Sequence, residues 1–168
     1  MISKIKPGKK DKLRVLHSLE QKVLWLSMWM IHNANHIRES IDGLKVGGHQ
    51  ASSASITTIM TALYFSVLRP QDRVAVKPHA SPVFHAIQYM LGRQTKENLE
   101  AFRSLGGTQS YPSRTKDTDG VDFSTGSVGL GVAMTLFASM VQDYTRLNEV
   151  VNEKPAGSNE SGRMIAVM

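Results

Sequence analysis

Apolar residues recur at steps of three and four near the start of the chain, which is the period of one face of an α-helix. This spacing predicts a long helix, or two helices, between residues 11 and 41. The segment DGLKVGG (42–48) then interrupts the pattern, and its glycines accept backbone angles that other residues resist, so a loop is expected there. The residues on the apolar face are Leu16, Leu19, Val23, Leu26 and Met30.

A helix and then a strand are predicted next. Ser52 or Ser53 can cap the free N–H groups of a helix start, and the apolar segment that follows must end before Pro70. RVAVK (73–77) is typical of a short buried strand, which leads directly into His79.

Three further helices are predicted. Ser81 is expected to cap the first of them, and Gly92 is placed to close it. Thr95 is expected to cap a shorter helix, and the last helix is predicted over residues 127–147.

The remaining segments complete an α/β pattern. Residues 106–126 form a long loop without a period, and such loops are usually functional or disordered; its order before a ligand binds is left open. A polar linker (148–162) leads to RMIAVM (163–168), a buried-strand pattern on which the chain stops. This order predicts a parallel sheet flanked by helices, with ligands beyond the carboxyl ends of the strands, where His79 lies.

Composition narrows the class of protein. The chain has 168 residues, 41% of them hydrophobic, and no cysteine, which predicts a globular domain without disulfides, a zinc ribbon or a Cys nucleophile. No apolar run reaches the ~18–20 residues that cross a bilayer, and no targeting signal is recognisable. We therefore expect a soluble, cytoplasmic protein that does not bind membranes.

The charge is concentrated at one end. The formal net charge of the chain is +6, and residues 1–14 contain six Lys or Arg against one Asp. This predicts a flexible basic tail ahead of a domain over 15–168. No basic stripe interleaved with aromatics and no nucleic-acid motif is present. A small phosphate-bearing ligand is therefore expected rather than a nucleic acid.

Two histidines and a glycine-rich turn carry the candidate chemistry. His49 and His79 each stand just before a predicted helix, and STGSVGLG (124–131) runs into another. The N–H groups at such a turn suit a phosphate, and imidazole can hydrogen-bond phosphate or move a proton. Taken singly, however, a loop histidine often has no ligand, and such glycines often mark close packing of a helix.

Four motifs in order make the pattern specific: GGHQASSAS, KPHASPVFHAIQYMLGR, LGGTQSYPS and FSTGSVGLGVAM. Together they resemble the N-terminal region of thiamine diphosphate enzymes, closest to the homodimeric-type pyruvate dehydrogenase E1 component, with transketolase more distant. The resemblance covers roughly residues 20–168. It implies an incomplete thiamine diphosphate-binding domain of the transketolase N-terminal type.

The resemblance implies roles for individual residues. His79 corresponds to the histidine that contacts the diphosphate region of the cofactor. His49 corresponds to the catalytic histidine that faces the thiazolium and substrate, and Ser52 to a hydroxyl that contacts the cofactor. Where E1 members often have a glutamine two residues before the second histidine, this chain has Lys77.

The glycine-rich turn is implied to pass its main chain along the cofactor. Transketolases carry Gly-Pro-Leu-Gly at this turn, and the departure from Pro and Leu in this chain is one seen on the E1 side of the family. The cofactor-binding residues assigned to the turn are Gly126, Ser127, Val128 and Gly129.

The resemblance also implies what lies beyond the chain. The Mg²⁺ site of the family uses a Gly-Asp-Gly turn after a buried strand and a later asparagine, so no metal ligand is assigned among residues 1–168. The implied whole protein is a homodimer that decarboxylates a 2-oxo acid, with pyruvate favoured, and passes the acyl group to a lipoyl-bearing E2 partner. Residues 1–168 alone are expected to be inactive.

Two alternatives stay open at this point. One is a transketolase that transfers two-carbon units between sugar phosphates, and the other is a non-catalytic or split-enzyme interaction subunit. His32 and His36 have a spacing that could hold a metal but lack further ligands. His85 lies within a predicted helix and is expected to be packed or solvent-facing.

Overall fold

The structure is a computed structural model that describes residues 8–40, 42–127, 129–148 and 161–168. The first two helices along the chain are each continued by a wider π-type turn, and a 3-10 turn precedes the third helix. The elements are α1 (Lys9–His32), α2 (Gln50–Ala62), β1 (Arg73–Val76), α3 (Ser81–Met90), α4 (Lys96–Glu100), α5 (Leu130–Leu147) and β2 (Met164–Val167).

The two strands pair in parallel, as the α/β pattern predicts. Arg73 lies opposite Met164, and Val76 lies opposite Val167. Helices α1, α2 and α3 pack on one another, while α5 packs against both strands. The largest core cluster contains Val74 and Val76 of β1 together with side chains of α1, α2 and α3. This confirms the predicted fold class, a small parallel sheet flanked by helices.

Helix α5 has two different faces. Gly131 and Thr135 are buried on the side that meets the strands. The opposite side presents large apolar side chains that are each more than half exposed among the described residues. They are Leu136, Phe137, Met140, Val141, Tyr144 and Leu147.

Two of the predicted caps are wrong. Helix α2 begins at Gln50, with His49 at the cap position and no side-chain cap, because Ser53 is buried and donates instead to the carbonyl oxygen of His79. Ser81 is the first residue of α3 rather than its cap, since the 3-10 turn precedes it.

The other two helix-end predictions are confirmed. Thr95 caps α4, because its hydroxyl accepts a bond from the N–H of Asn98 at 3.2 Å. Gly92 follows α3 with φ of +72°, the left-handed conformation that closes many helices.

The start of the sheet is fixed by Asp72. Its buried carboxylate accepts bonds from the N–H of Arg163 at 2.8 Å, from the Arg163 guanidinium Nε at 3.1 Å and from the N–H of Arg69 at 2.9 Å. The side-chain bond with Arg163 holds the pKa of Asp72 well below its usual range. Because Asp72 and Arg163 immediately precede β1 and β2, this contact sets where the strands begin to pair.

The opposite edge of β1 is covered by side chains from the 106–126 loop. The N–H of Arg73 bonds to the carbonyl of Arg163, directly before β2, so the N–H of Val74 and the carbonyl of Val76 face the other way. Asp122 accepts from the Val74 N–H at 2.8 Å, and the hydroxyl of Thr125 donates to the Val76 carbonyl at 2.6 Å.

Three further sequence predictions concern the ends and the surface of the chain. Helix α1 starts at Lys9, within the segment 1–14 for which the charge pattern predicts a tail. Most of the 148–162 linker lies outside the described residues, so this boundary stays a prediction. Within the described part, none of the helices combines the length and the apolar character needed to span a bilayer.

Replacing Asp72 with asparagine should lower the free energy of unfolding by about 2 kcal/mol at pH 7, because hydrogen bonds to a buried charged group are lost. The pKa of Asp72 is lowered in the folded state, so its stabilisation is complete above its unfolded pKa of about 3.9 and is lost as the pH falls below it. Urea denaturation of wild type and Asp72→Asn at several pH values measures this difference.

The matched control is Asp143→Asn, which removes the exposed ion pair with Arg146 and should change the free energy of unfolding by less than about 0.5 kcal/mol. A difference between wild type and Asp72→Asn that stays constant from pH 7 to pH 3 would contradict the proposed role of the charge.

Candidate functional site

The two candidate histidines lie against each other. The ring centroids of His49 and His79 are 4.2 Å apart, with the ring planes tilted by 49°. His49 is exposed at the start of α2, and His79 is half-buried in the 3-10 turn after β1. Residues that are thirty positions apart in the sequence therefore form one site at the carboxyl end of β1.

Ser53 joins the two histidine segments. Its N–H donates to the carbonyl of His49 at 3.0 Å, and its hydroxyl donates to the carbonyl of His79 at 3.4 Å. Ser53 has no exposed surface, and its bond to His79 is partly buried. From the sequence Ser53 is predicted only as a cap, because the partner that binds its hydroxyl lies far away along the chain.

The predicted cofactor contact Ser52 lies beside this bridge. It is half-buried on the first turn of α2, and its carbonyl accepts a bond from the hydroxyl of Ser55 at 3.0 Å. Ser52 therefore lies three residues after His49 at the start of α2, and its contact with a cofactor stays a prediction.

Glycine is required in the turn before His49. Gly48 has φ of +135°, and a Cβ there would lie 2.9 Å from a methyl carbon of Ile31 on α1. Gly47 has φ of +74° and exchanges two 2.9 Å bonds with the side-chain amide of Asn35. The turn is thus fastened to the end of α1, which fixes where His49 leaves it.

The glycine-rich turn divides into two parts. A Cβ at Gly131 would lie 3.3 Å from the Cβ of Ala75, so this glycine serves the packing of α5 on β1. Gly126 and Gly129 are exposed, and a Cβ at either would have open space. Their open surroundings are compatible with a ligand that lies along the main chain.

The remaining predicted residues of the turn are also located. Ser127 is exposed, and its carbonyl accepts a bond from the N–H of Leu130 at 3.2 Å. Val128 lies outside the described residues. Thr125, within the turn, bonds through its hydroxyl to the carbonyl of Val76, three residues ahead of His79. The turn is therefore tied to the strand that ends at the histidine pair.

The electrostatics of the site suit an anion. Helix α2 begins directly after His49, and α3 begins two residues after His79. The first N–H groups of a helix lack partners within the helix and carry partial positive charge. At α3 the N–H groups of Ala80 and Ser81 already bond within the 3-10 turn. The start of α2 has no side-chain cap, so its N–H groups lie beside two imidazoles that can donate hydrogen bonds, a donor set that fits the oxygens of a diphosphate.

The histidine pair has no cluster of metal-binding residues among the described parts of the chain. Among the described residues, one group of three His or acidic side chains has its ligand atoms within 4.8 Å of one another. Its members are His85, Asp117 and Asp119. That group lies between α3 and the 106–126 loop. His32 and His36 stack with ring centroids 4.9 Å apart and are not part of such a group.

A large cavity lies elsewhere in the described structure. It measures about 600 Å³ and lies between α1 and α3, and it includes neither His49 nor His79. Its lining residues are Ser18, Gln21, Lys22, Trp25, Leu26, Tyr89 and Met90. The site is therefore identified by its chemistry and not by the size of a cavity.

Comparison with known proteins gives several relatives described as pyruvate dehydrogenase E1 components. No family model matches the chain. A pyruvate dehydrogenase E1 component of Mycolicibacterium smegmatis is 30% identical over 133 residues, which are 73% of this chain and 14% of that protein. The E1 component of Cupriavidus necator is 30% identical over 147 residues (82% and 15%), and that of Escherichia coli K12 is 31% identical over 117 residues (64% and 13%).

These similarities support the E1 side of the resemblance. The chain spans about 14% of the length of the first of these relatives. The similarity therefore concerns one region of a much longer protein, and it does not extend to features specific to transketolase.

Substituting Gly48 with alanine should lower the free energy of unfolding by about 1–3 kcal/mol, because a side chain there is strained and meets Ile31. Gly126→Ala, in the same kind of loop but in open space, should change it by less than about 0.5 kcal/mol. Chemical denaturation measures both variants, and equal effects would contradict this division of the glycines.

Proposed function

We propose that this chain belongs to the pyruvate dehydrogenase E1 component family and forms part of the cofactor-binding domain of a thiamine diphosphate- and Mg²⁺-dependent enzyme. The domain covers residues 15–168. The enzyme decarboxylates a 2-oxo acid, with pyruvate the favoured substrate, and passes the acyl group to a lipoyl carrier. The single observation that supports this most is the contact between His49 and His79 at the carboxyl end of β1.

Each part of the site has a distinct task in this proposal. Bound thiamine diphosphate supplies the nucleophilic carbon and the electron sink for decarboxylation. His79, held through its carbonyl by Ser53, donates an N–H bond to a phosphate oxygen. His49 is more exposed, so its imidazole is available to move a proton at the substrate or to hold the substrate carboxylate. The exposed main chain at Gly126, Ser127 and Gly129 lies along the cofactor.

The proposal assigns Mg²⁺ to residues other than the described ones. Octahedral Mg²⁺ takes oxygen ligands, and the one group of three His or acidic side chains among the described residues, His85, Asp117 and Asp119, includes neither His49 nor His79. A homodimer, an E2 partner with lipoyl groups and a place in the cytoplasm belong to the same proposal, as does inactivity of residues 1–168 alone.

Binding of thiamine diphosphate with Mg²⁺ tests the proposal. Calorimetry on the 168-residue chain and on the protein of its full reading frame should detect binding by the latter, and His79→Ala should raise the Kd by about tenfold or more because a charge-assisted bond to phosphate is lost. His17→Ala, an exposed histidine on α1, is the matched control and should leave the Kd unchanged. Absence of binding by the full protein would refute the proposal.

Substitution of His49 and of His79 should affect different quantities. In the full protein, His49→Ala should lower kcat for decarboxylation of pyruvate by about 10²–10⁴-fold, as expected for loss of a proton-transfer group, while the Kd for thiamine diphosphate changes little. Parallel assays with pyruvate and with a ketose phosphate separate E1 from transketolase activity. An unchanged kcat in His49→Ala would remove this residue from the chemistry.

A further inference from the structure

We infer that the buried pair of His85 and Asp119 is a positioning device, which holds the 106–126 loop so that the glycine-rich turn stays beside His79. The functional part of this inference rests on the proposed function, since it is the cofactor that would use the turn. The sequence pattern alone predicts no role for Asp119, and it predicts only a packed or solvent-facing position for His85.

The two hydrogen bonds of the His85 ring determine how many protons His85 and Asp119 share. The side chains of His85 and Asp119 have no exposed surface. Nε2 of His85 lies 2.8 Å from the carbonyl oxygen of Gln109, and Nδ1 lies 2.7 Å from a carboxylate oxygen of Asp119. Because a carbonyl can only accept, Nε2 carries a proton, and the contact with Asp119 needs a second one. Because neither side chain has exposed surface, water does not compete for this bond.

The pair connects the two segments that would contact the cofactor. His85 lies six residues after His79, along the continuous 3-10 turn and α3. Asp119 lies on the loop, ahead of Asp122 and Thr125, whose side chains bond to β1. The loop is thus anchored successively to α3 and to two points on β1, the second of them at the start of the glycine-rich turn.

The loop depends on such polar anchors for its conformation. No helix or strand lies within 106–126 in the described structure, so its order is opposed by conformational entropy. Asp117 organises one part of it by accepting bonds from the N–H groups of Gln109 at 2.9 Å and Ser113 at 2.7 Å. Nε2 of His85 bonds to the carbonyl of the same Gln109. This bond joins the part of the loop organised by Asp117 to the core.

Hydrogen exchange measured on three variants tests the positioning role. His85→Phe keeps an aromatic ring next to Phe84, which His85 contacts at a centroid distance of 5.3 Å, but removes both bonds. Asp119→Ala removes one bond. Asp119→Asn is the matched control, because its amide can donate to Nδ1 while Nε2 still donates to Gln109.

In His85→Phe and Asp119→Ala, amides of residues 109–125 should exchange roughly tenfold faster or more, while those in α1 and α2 stay protected. In Asp119→Asn, exchange in the loop should stay within about threefold of wild type. Unchanged exchange in the loop, or an equal increase throughout the protein, would overturn the inference. This readout does not depend on any ligand.

Cofactor affinity then tests the functional part in the full protein. The Kd for thiamine diphosphate with Mg²⁺ should rise about tenfold or more in His85→Phe and Asp119→Ala and should stay near the wild-type value in Asp119→Asn. A wild-type Kd in the first two variants would overturn this part. If the wild-type protein does not bind thiamine diphosphate, the proposed function fails, whereas hydrogen exchange still decides whether the pair holds the loop.

A metal centre is the competing explanation, because Asp117 lies close and Oδ1 of Asp119 has no partner among the described residues. Thermal unfolding with added Zn²⁺ or Mn²⁺ separates the two. No metal-dependent rise in Tm is expected for wild type. A metal-dependent rise in Tm that disappears in His85→Phe would show that a metal ion, rather than a proton, joins His85 to Asp119. This result would overturn the inference.

Discussion

The backbone of β1 must be hydrogen-bonded on both edges, and the rest of the site depends on how this is achieved. Val74, Ala75 and Val76 are buried, so an unpaired N–H or carbonyl there would be costly. One edge is satisfied by β2, which Asp72 and Arg163 align. On the other edge, side chains of an irregular loop bond to the N–H of Val74 and to the carbonyl of Val76. A four-residue strand thereby fixes the position of the turn that carries His79 and of the glycine-rich turn.

The histidine pair brings together two segments that are built in different ways. His79 follows the strand, so the sheet determines its position. His49 follows a glycine turn that is held by Asn35 and by contact with Ile31, so the end of α1 determines its position. Ser53 bonds to the backbone of both. A change in the packing of α1 therefore reaches the site as directly as a change in the sheet.

Much of this arrangement can be predicted from the sequence, and the failures have a common physical cause. Periodicity predicts the helices and both strands, and Thr95 is correctly predicted as a cap because its partner lies three residues away. Ser53 is wrongly predicted as a cap because its partner, His79, is distant in sequence. The motifs identify His49 and His79 but cannot show their contact. Asp72 and Asp119 are missed because buried carboxylates with distant partners leave no periodic signal.

The exposed apolar side of α5 has a consequence for how this helix tolerates mutation. Its inner side is constrained by the two strands, so substitutions at Gly131 or Thr135 act on folding. Its outer side contributes little to the described core, yet solvated monomer surfaces seldom carry so many adjacent large apolar groups. These exposed side chains therefore need an explanation other than packing in the described core. The two sides of α5 thus differ in what limits substitution: packing against the strands on the inner side, and the surroundings of the helix on the outer side.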